Sequence, residues 1–91
     1  MLITNYSSRF KKELKLMEKR GLDIQKILDI ISDLENEVPL KSKHREHLLQ
    51  GNYEGYLECH VEPDWLLIYK INKITKKIYF ARTGTHTDLF T

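Results

Sequence analysis

Ninety-one residues, 41% hydrophobic and 31% charged, fit one globular domain spanning residues 1–91 and exclude a disordered chain or two separate cores. No apolar run approaches the roughly 20 residues of a membrane helix, Met1–Asn5 lacks the features of a secretory leader, and the lone Cys59 suits a reducing cytoplasm. The net charge of +2 is low for a protein that grips naked nucleic acid, so any RNA it acts on is expected to be presented by something else.

Leu2 to Asn5 is long enough for one short strand. Ser7 or Ser8 can cap a helix running to about Arg20, with Phe10, Leu14 and Met17 on one face, and Gly21 can close it. Asp23 then caps a second helix in which Ile24, Ile27, Leu28, Ile31 and Leu34 recur at helical spacing. The first twenty residues carry six cations and two anions, the next twenty one cation and five anions. So short a connection predicts an antiparallel helical hairpin.

Pro39 stops the second helix, and residues 41–54 read as a loop with one short helical turn. From Tyr56 the period becomes two. Leu57, Cys59 and Val61 face one way, and Glu58, His60 and Glu62 the other. Pro63-Asp64 turns the chain into Trp65–Ile71, a nearly continuous apolar strand expected at the sheet centre. Lys77–Thr83 is a last strand ended by Gly84, and Asp88-Leu89-Phe90 fits a terminal helical turn. The expected fold class is α+β: an N-terminal helical hairpin packed on a small, mainly antiparallel sheet, in the order β-α-α-β-β-β with a short C-terminal turn.

Three of the four histidines stand beside turns: His47 before Gln50-Gly51, His60 before Pro63-Asp64, and His86 after Gly84. Imidazole titrates near neutrality, and several imidazoles beside a cation can accept a proton, donate one and hold an anion. Cleavage of an RNA phosphodiester needs those three services. Asp64 can fix the tautomer of a neighbouring imidazole, or make only a local turn contact. Arg82 offers a fork of donors for phosphate, but strict alternation puts it with Ile78 and Phe80 on the core side, so either the strand end escapes the core or a bulge turns Arg82 around. Trp65 reads most simply as packing, whereas Phe90 beside the chain end can stack on a base.

Other chemistries fit less well. No His-Glu-x-x-His or Cys-x-x-Cys pattern occurs, and the His44/His47 spacing alone makes a weak metal site. His44 lies in a charged stretch that solvation explains. Alternation buries Cys59 between Leu57 and Val61, which argues against a nucleophilic thiol.

Four blocks carry a resemblance: His47-Leu48-Leu49-Gln50-Gly51, Gly55-Tyr56, His60 to Trp65 with Leu67-Ile68-Tyr69-Lys70, and Arg82 to His86 with Leu89-Phe90. Together they resemble the YafQ branch of the RelE-like bacterial toxins of type II toxin–antitoxin pairs. That resemblance implies a RelE-like fold and a ribosome-dependent messenger RNA endonuclease that cuts in the aminoacyl site without a metal or cofactor. By residue match it implies catalytic positions at His47, His60, Asp64, Arg82 and His86, with Trp65 and Phe90 contacting RNA. It further implies a cognate antitoxin, operator DNA bound only through that antitoxin, and a bacterial cytoplasmic setting without membrane contact. The chain departs from the pattern at Leu48, where many relatives have proline, and at Leu57, where they often have arginine. The second change removes a cation near the site. The competing readings are an inactive antitoxin-binding module acting in repression, and a small metal-dependent hydrolase.

Overall fold

Capping and spacing shape the first half of the chain. In the computed structural model, which describes residues 1–90, Ser7 caps α1 (Ser8–Lys19) by accepting from the Phe10 amide at 2.8 Å. Gly21, at φ +86°, lets the chain leave that helix, and the Leu22 amide returns to the Met17 carbonyl at 3.2 Å. Asp23 caps α2 (Ile24–Glu35) by accepting from the Gln25 amide at 3.0 Å. The buried stripes are Phe10 and Met17 on α1, and Ile27, Ile30, Ile31 and Leu34 on α2. Leu28, expected in the α2 stripe, is 43% exposed, because Ile30 and Ile31 centre the apolar arc away from it.

Five strands complete the expected α+β architecture: β1 (Ile3–Tyr6), β2 (His47–Leu48), β3 (Leu57–Glu62), β4 (Trp65–Asn72) and β5 (Lys77–Gly84), in spatial order β1-β5-β4-β3-β2. β1 runs parallel to β5, and every other neighbouring pair is antiparallel. The stretch read as a loop holds β2 and two 3-10 turns, Ser42–His44 and Gly51–Tyr53. A two-residue strand has no alternation to read, which is why β2 escapes sequence analysis. The terminal turn is a short helix, α3 (His86–Phe90).

Both long helices cover one face of the sheet, α1 over β5 and α2 against β3. The core lies between, with Cys59, Val61, Trp65, Leu67, Tyr69, Ile78 and Phe80 facing the helical stripes. β4 is central and apolar on both sides, as expected. Its Leu66 and Ile68 point to the opposite face, where Ala81, Leu89, Leu49, Tyr53 and Tyr56 form a smaller cluster.

One irregularity decides what that second face carries. Opposite β4, Ile68 pairs with Arg82 and Tyr69 with Phe80, so Ala81 is an extra residue in β5. This bulge turns Arg82 away from the face of Phe80 and onto the face of Ile68. Of the two alternatives open in the sequence, the bulge is the one realised.

Candidate active site

Strand register builds the site. His47 pairs with Glu58, Glu58 with Ile68, and Ile68 with Arg82, a single row across β2, β3, β4 and β5. Two residues along, His60 pairs with Leu66 and Leu66 with Gly84. All of these lie on the face that the long helices leave uncovered. α3 then leaves Gly84 and carries His86 back over the row. The three imidazoles form a chain: ring centroids are 6.2 Å apart for His47 and His60 and 5.9 Å for His60 and His86, both edge-to-face.

Each ring is held differently. The His47 Nδ1 lies 2.7 Å from the Arg45 carbonyl, so Nδ1 carries a hydrogen, because a carbonyl oxygen only accepts. Its Nε2 lies 3.3 Å from Glu58 Oε1. His60 Nε2 is 3.8 Å from the same Oε1. The His60 pKa is lowered, first by burial and then by the positive charge of Arg45 and of the other histidines, which keeps this ring neutral near pH 7. His86 donates from Nδ1 to Asp64 Oδ1 at 2.5 Å, and its backbone amide meets the same oxygen at 3.0 Å. Those two bonds hold the Asp64 carboxyl below its ordinary value. That leaves His86 Nε2 as the ring nitrogen not engaged by Asp64.

Glu58 is the residue that sequence analysis passed over. Alternation placed it beside His60, but its burial was not foreseen: it is 5% exposed and Oε2 has no hydrogen-bond partner among the described residues. Burial raises its pKa, and positive charge on His47 and His86 pulls it back. An enclosed carboxylate is costly without charged or hydrogen-bonding partners, and imidazoles are the groups closest to its Oε1.

Arg82 reaches the expected face but does not present an open fork. Its Nε and Nη2 bond the Glu13 carboxylate of α1 at 2.6–3.1 Å, Nη1 donates to the Tyr53 hydroxyl at 2.8 Å, and its side chain is 8% exposed. β1 ends opposite Phe80, which leaves the β5 edge open at Thr83. Glu13 fills that gap by also accepting from the Thr83 amide at 3.3 Å. Sequence distance hid this partner: Glu13 and Arg82 are 69 residues apart.

Trp65 does not adjoin a surface for RNA. Pairing with Glu62, it turns to the helix side, is 1% exposed and donates to Thr83 Oγ1 at 2.9 Å. Phe90 is 48% exposed, with its ring edge-to-face with Tyr53 at 6.1 Å. His44 Nδ1 donates to the His60 carbonyl at 2.7 Å and braces the strand from outside the row. Cys59 is sealed in the core, where burial pushes its thiol up to about 12, so it is no nucleophile. Among the described residues, no group of three or more His, Cys, Asp or Glu is arranged to hold a metal ion.

α3 is anchored at both sides. Asp88 accepts from Arg20 at 2.7 Å and from the Thr85 amide at 2.9 Å, which holds its carboxyl far below the usual range. A side chain at Gly84 would meet the Asp88 Cβ at 2.9 Å, so only glycine allows this approach.

Known proteins share this fold. A family model described as a bacterial toxin of type II toxin–antitoxin system, YafQ, matches residues 2–91. The chain is 44% identical over 86 residues to the mRNA interferase toxin YafQ of Escherichia coli K12, covering 93% of this chain and 91% of that protein. It matches a chain of the crystal structure of the E. coli DinJ–YafQ complex at TM-score 0.91 and 41% identity, over 100% of both chains. A metal-bound toxin from Helicobacter pylori matches at TM-score 0.91 and 37% identity, over 99% of this chain and 100% of that one.

Proposed function

The chain belongs to the YafQ family of bacterial toxins of type II toxin–antitoxin systems, and from that premise we propose that it is a metal-independent endoribonuclease cutting messenger RNA in the ribosomal aminoacyl site. The observation that carries the reading is the chain of three imidazoles on one open sheet face, with ring centroids about 6 Å apart above a buried carboxylate.

Neutral His60 takes the proton of the ribose 2′-hydroxyl as that oxygen attacks the adjacent phosphorus. The bond from phosphorus to the 5′ oxygen breaks, and His86 gives its Nε2 proton to the departing oxygen. The products are a 2′,3′-cyclic phosphate and a 5′-hydroxyl. Asp64 orients His86 through Nδ1. His47, standing over Glu58, supports the charge that builds on the phosphoryl oxygens. Arg82 stands behind the phosphate, and its contact there exchanges the neutral Tyr53 acceptor at Nη1 for a charged phosphoryl oxygen while Glu13 keeps hold of Nε and Nη2. Each proton-transfer group contributes about 10²–10⁴-fold, and placement of the 2′-hydroxyl by the decoding site supplies much of the rest.

The low net charge supports ribosomal presentation, because a protein of +2 gathers little free RNA by itself. Since a relative crystallised with DinJ, this toxin is expected to be neutralised by its own antitoxin, with operator DNA reached only through that partner. No helix among the described residues is long and apolar enough to cross a membrane, in keeping with action at cytoplasmic ribosomes.

The test is primer extension on a translated messenger, with ribosomes present and absent, for the unaltered chain and for His86→Ala. A codon-dependent cut that needs ribosomes, survives chelator and disappears in the variant supports the reading. An intact messenger together with tight antitoxin binding identifies an inactive binding module instead. Loss of the cut in chelator identifies a metal enzyme.

A further inference from the structure

Gln50, Asn52, Tyr53, Leu89 and Phe90 line an open cleft of about 610 Å³, and the Tyr53 in its wall accepts from Arg82. We infer that this cleft is a base-reading subsite, taking an unstacked RNA base next to the scissile phosphate between its aromatic rings and its two carboxamides. The inference rests on the endoribonuclease reading and specifies how that same site selects its substrate.

The walls have the chemistry of a base pocket. The Tyr53 and Phe90 rings stand 6.1 Å apart at 84°, and Tyr56 meets Tyr53 at 6.0 Å and 87°. Phe90 is 48% exposed, whereas Leu89 beneath it is buried. An exposed ring beside a buried aliphatic floor offers one stacking surface without opening the core, and base–aromatic stacking is strong for every base. Discrimination needs polar groups at the edge. Gln50 and Asn52 supply them: both are exposed, and neither carboxamide makes a hydrogen bond among the described residues. A carboxamide presents one acceptor and two donors, the set that pairs with the edge of a base.

The backbone puts these groups in place. Gly51, at φ +68°, forms the tight turn that separates Gln50 from Asn52 and Tyr53. That turn follows His47 by a few residues, so one loop supplies the row at one end and the cleft at the other. On the opposite wall, His86 and Phe90 are four residues apart on α3, about one helical turn. The Tyr53 hydroxyl accepts from Arg82. Catalytic row and cleft are thus joined by three covalent or hydrogen-bonded links. A nucleotide whose phosphate lies among the imidazoles has this cleft beside it for a base.

The experiment measures cleavage on ribosomes programmed with a set of messengers that differ by one base at each codon position. It compares the unaltered chain with Gln50→Ala, Asn52→Ala and Phe90→Leu. A good carboxamide–base pair separates bases by roughly 5–100-fold, so each amide variant is expected to reduce the ratio between best- and worst-cut base by at least about fivefold. Phe90→Leu is expected to slow cutting at every base. An equal fall at all bases in the amide variants overturns the inference, because support of the loop, not reading, would then be their role. So does an unchanged base profile, including one accompanied by weaker capture of the antitoxin, which would make the cleft the antitoxin's. No cut by the unaltered chain removes the endoribonuclease reading and the inference together, whereas a cut with an unmoved profile removes the inference alone.

Discussion

Replacing Glu13 with alanine strands a buried guanidinium. The side chains of Arg82 and Glu13 are 8% and 15% exposed, and their closest contact is 2.6 Å. Breaking a buried pair by removing one partner costs about 3–5 kcal/mol, whereas an exposed pair contributes about 0–1 kcal/mol. Glu13→Ala also strips the Thr83 amide of its acceptor. A domain of this size has about 5–15 kcal/mol in total, and each kcal/mol moves Tm by about 4–8 °C. The variant should therefore lose at least about 12 °C. Trp65 is the only tryptophan and is 1% exposed, so its fluorescence reports global unfolding in urea or heat. Glu18→Ala, which removes an exposed carboxylate from the same helix, should change stability by less than about 0.5 kcal/mol. Adding Arg82→Met to Glu13→Ala should recover part of the loss, since an apolar side chain leaves no stranded charge. A loss below about 1 kcal/mol in Glu13→Ala would show that the guanidinium is solvated and refute the argument.

Glu58→Gln should raise stability by about 1 kcal/mol, because it removes an enclosed charge with an unpartnered oxygen, and should lower cleavage; urea unfolding beside primer extension tests both signs, and a stability loss with full cleavage would contradict the reading. Gly84→Ala forces a methyl to within 2.9 Å of Asp88 and should cost about 1–3 kcal/mol, with cleavage falling further as His86 and Phe90 move; equal cleavage would show that α3 tolerates displacement. The acid limb of kcat/KM should lie below the ordinary imidazole value of about 6.5, since the base works unprotonated and burial lowers the His60 pKa; a limb at or above that value would assign the base elsewhere. Asp88→Asn should flatten the acid dependence of stability, because a carboxyl whose pKa is depressed on folding stabilises above its unfolded value of about 3.9 and loses that contribution as pH falls below it; an unchanged urea midpoint profile would show that Arg20 does not hold α3.

What could be read from the sequence was what is local. Ser7, Gly21 and Asp23 announce helix ends by their own chemistry, and the period-two run from Leu57 to Glu62 sets His60 opposite Cys59 without reference to the rest of the chain. The histidines were legible as candidates because each stands beside a turn residue. The parallel pairing of β1 with β5 was not, since it joins residues 74 apart, Ile3 to Lys77, and leaves no pattern in either segment. Arg82 shows the boundary most clearly. Alternation alone put it in the core, and only the register slip at Ala81 turns it outward. Its capture by Glu13 follows from where β1 stops, which is a property of the folded edge. Trp65 failed for the converse reason: its place in a motif resembling an RNA-contacting one said nothing about the face that pairing with Glu62 would give it.

The site is assembled from parts that stabilise the fold unequally. Arg82–Glu13 and Arg20–Asp88 join α1 to β5 and α3, so they serve stability and position together. Glu58 does neither: its burial is unfavourable, one oxygen is orphaned, and Ile68 beside it shows that an apolar residue fits this face. A polar group kept where an apolar one would fold better carries a cost in stability, which in the proposed reaction goes with a functional role. The Glu58 Oε1 stands 3.3 Å from His47 Nε2 and 3.8 Å from His60 Nε2, while burial and the charge of Arg45 lower the His60 pKa. In the proposed reaction, unlike surroundings divide three identical side chains between base, acid and anion holder: burial around His60, Asp64 at His86 and Glu58 at His47.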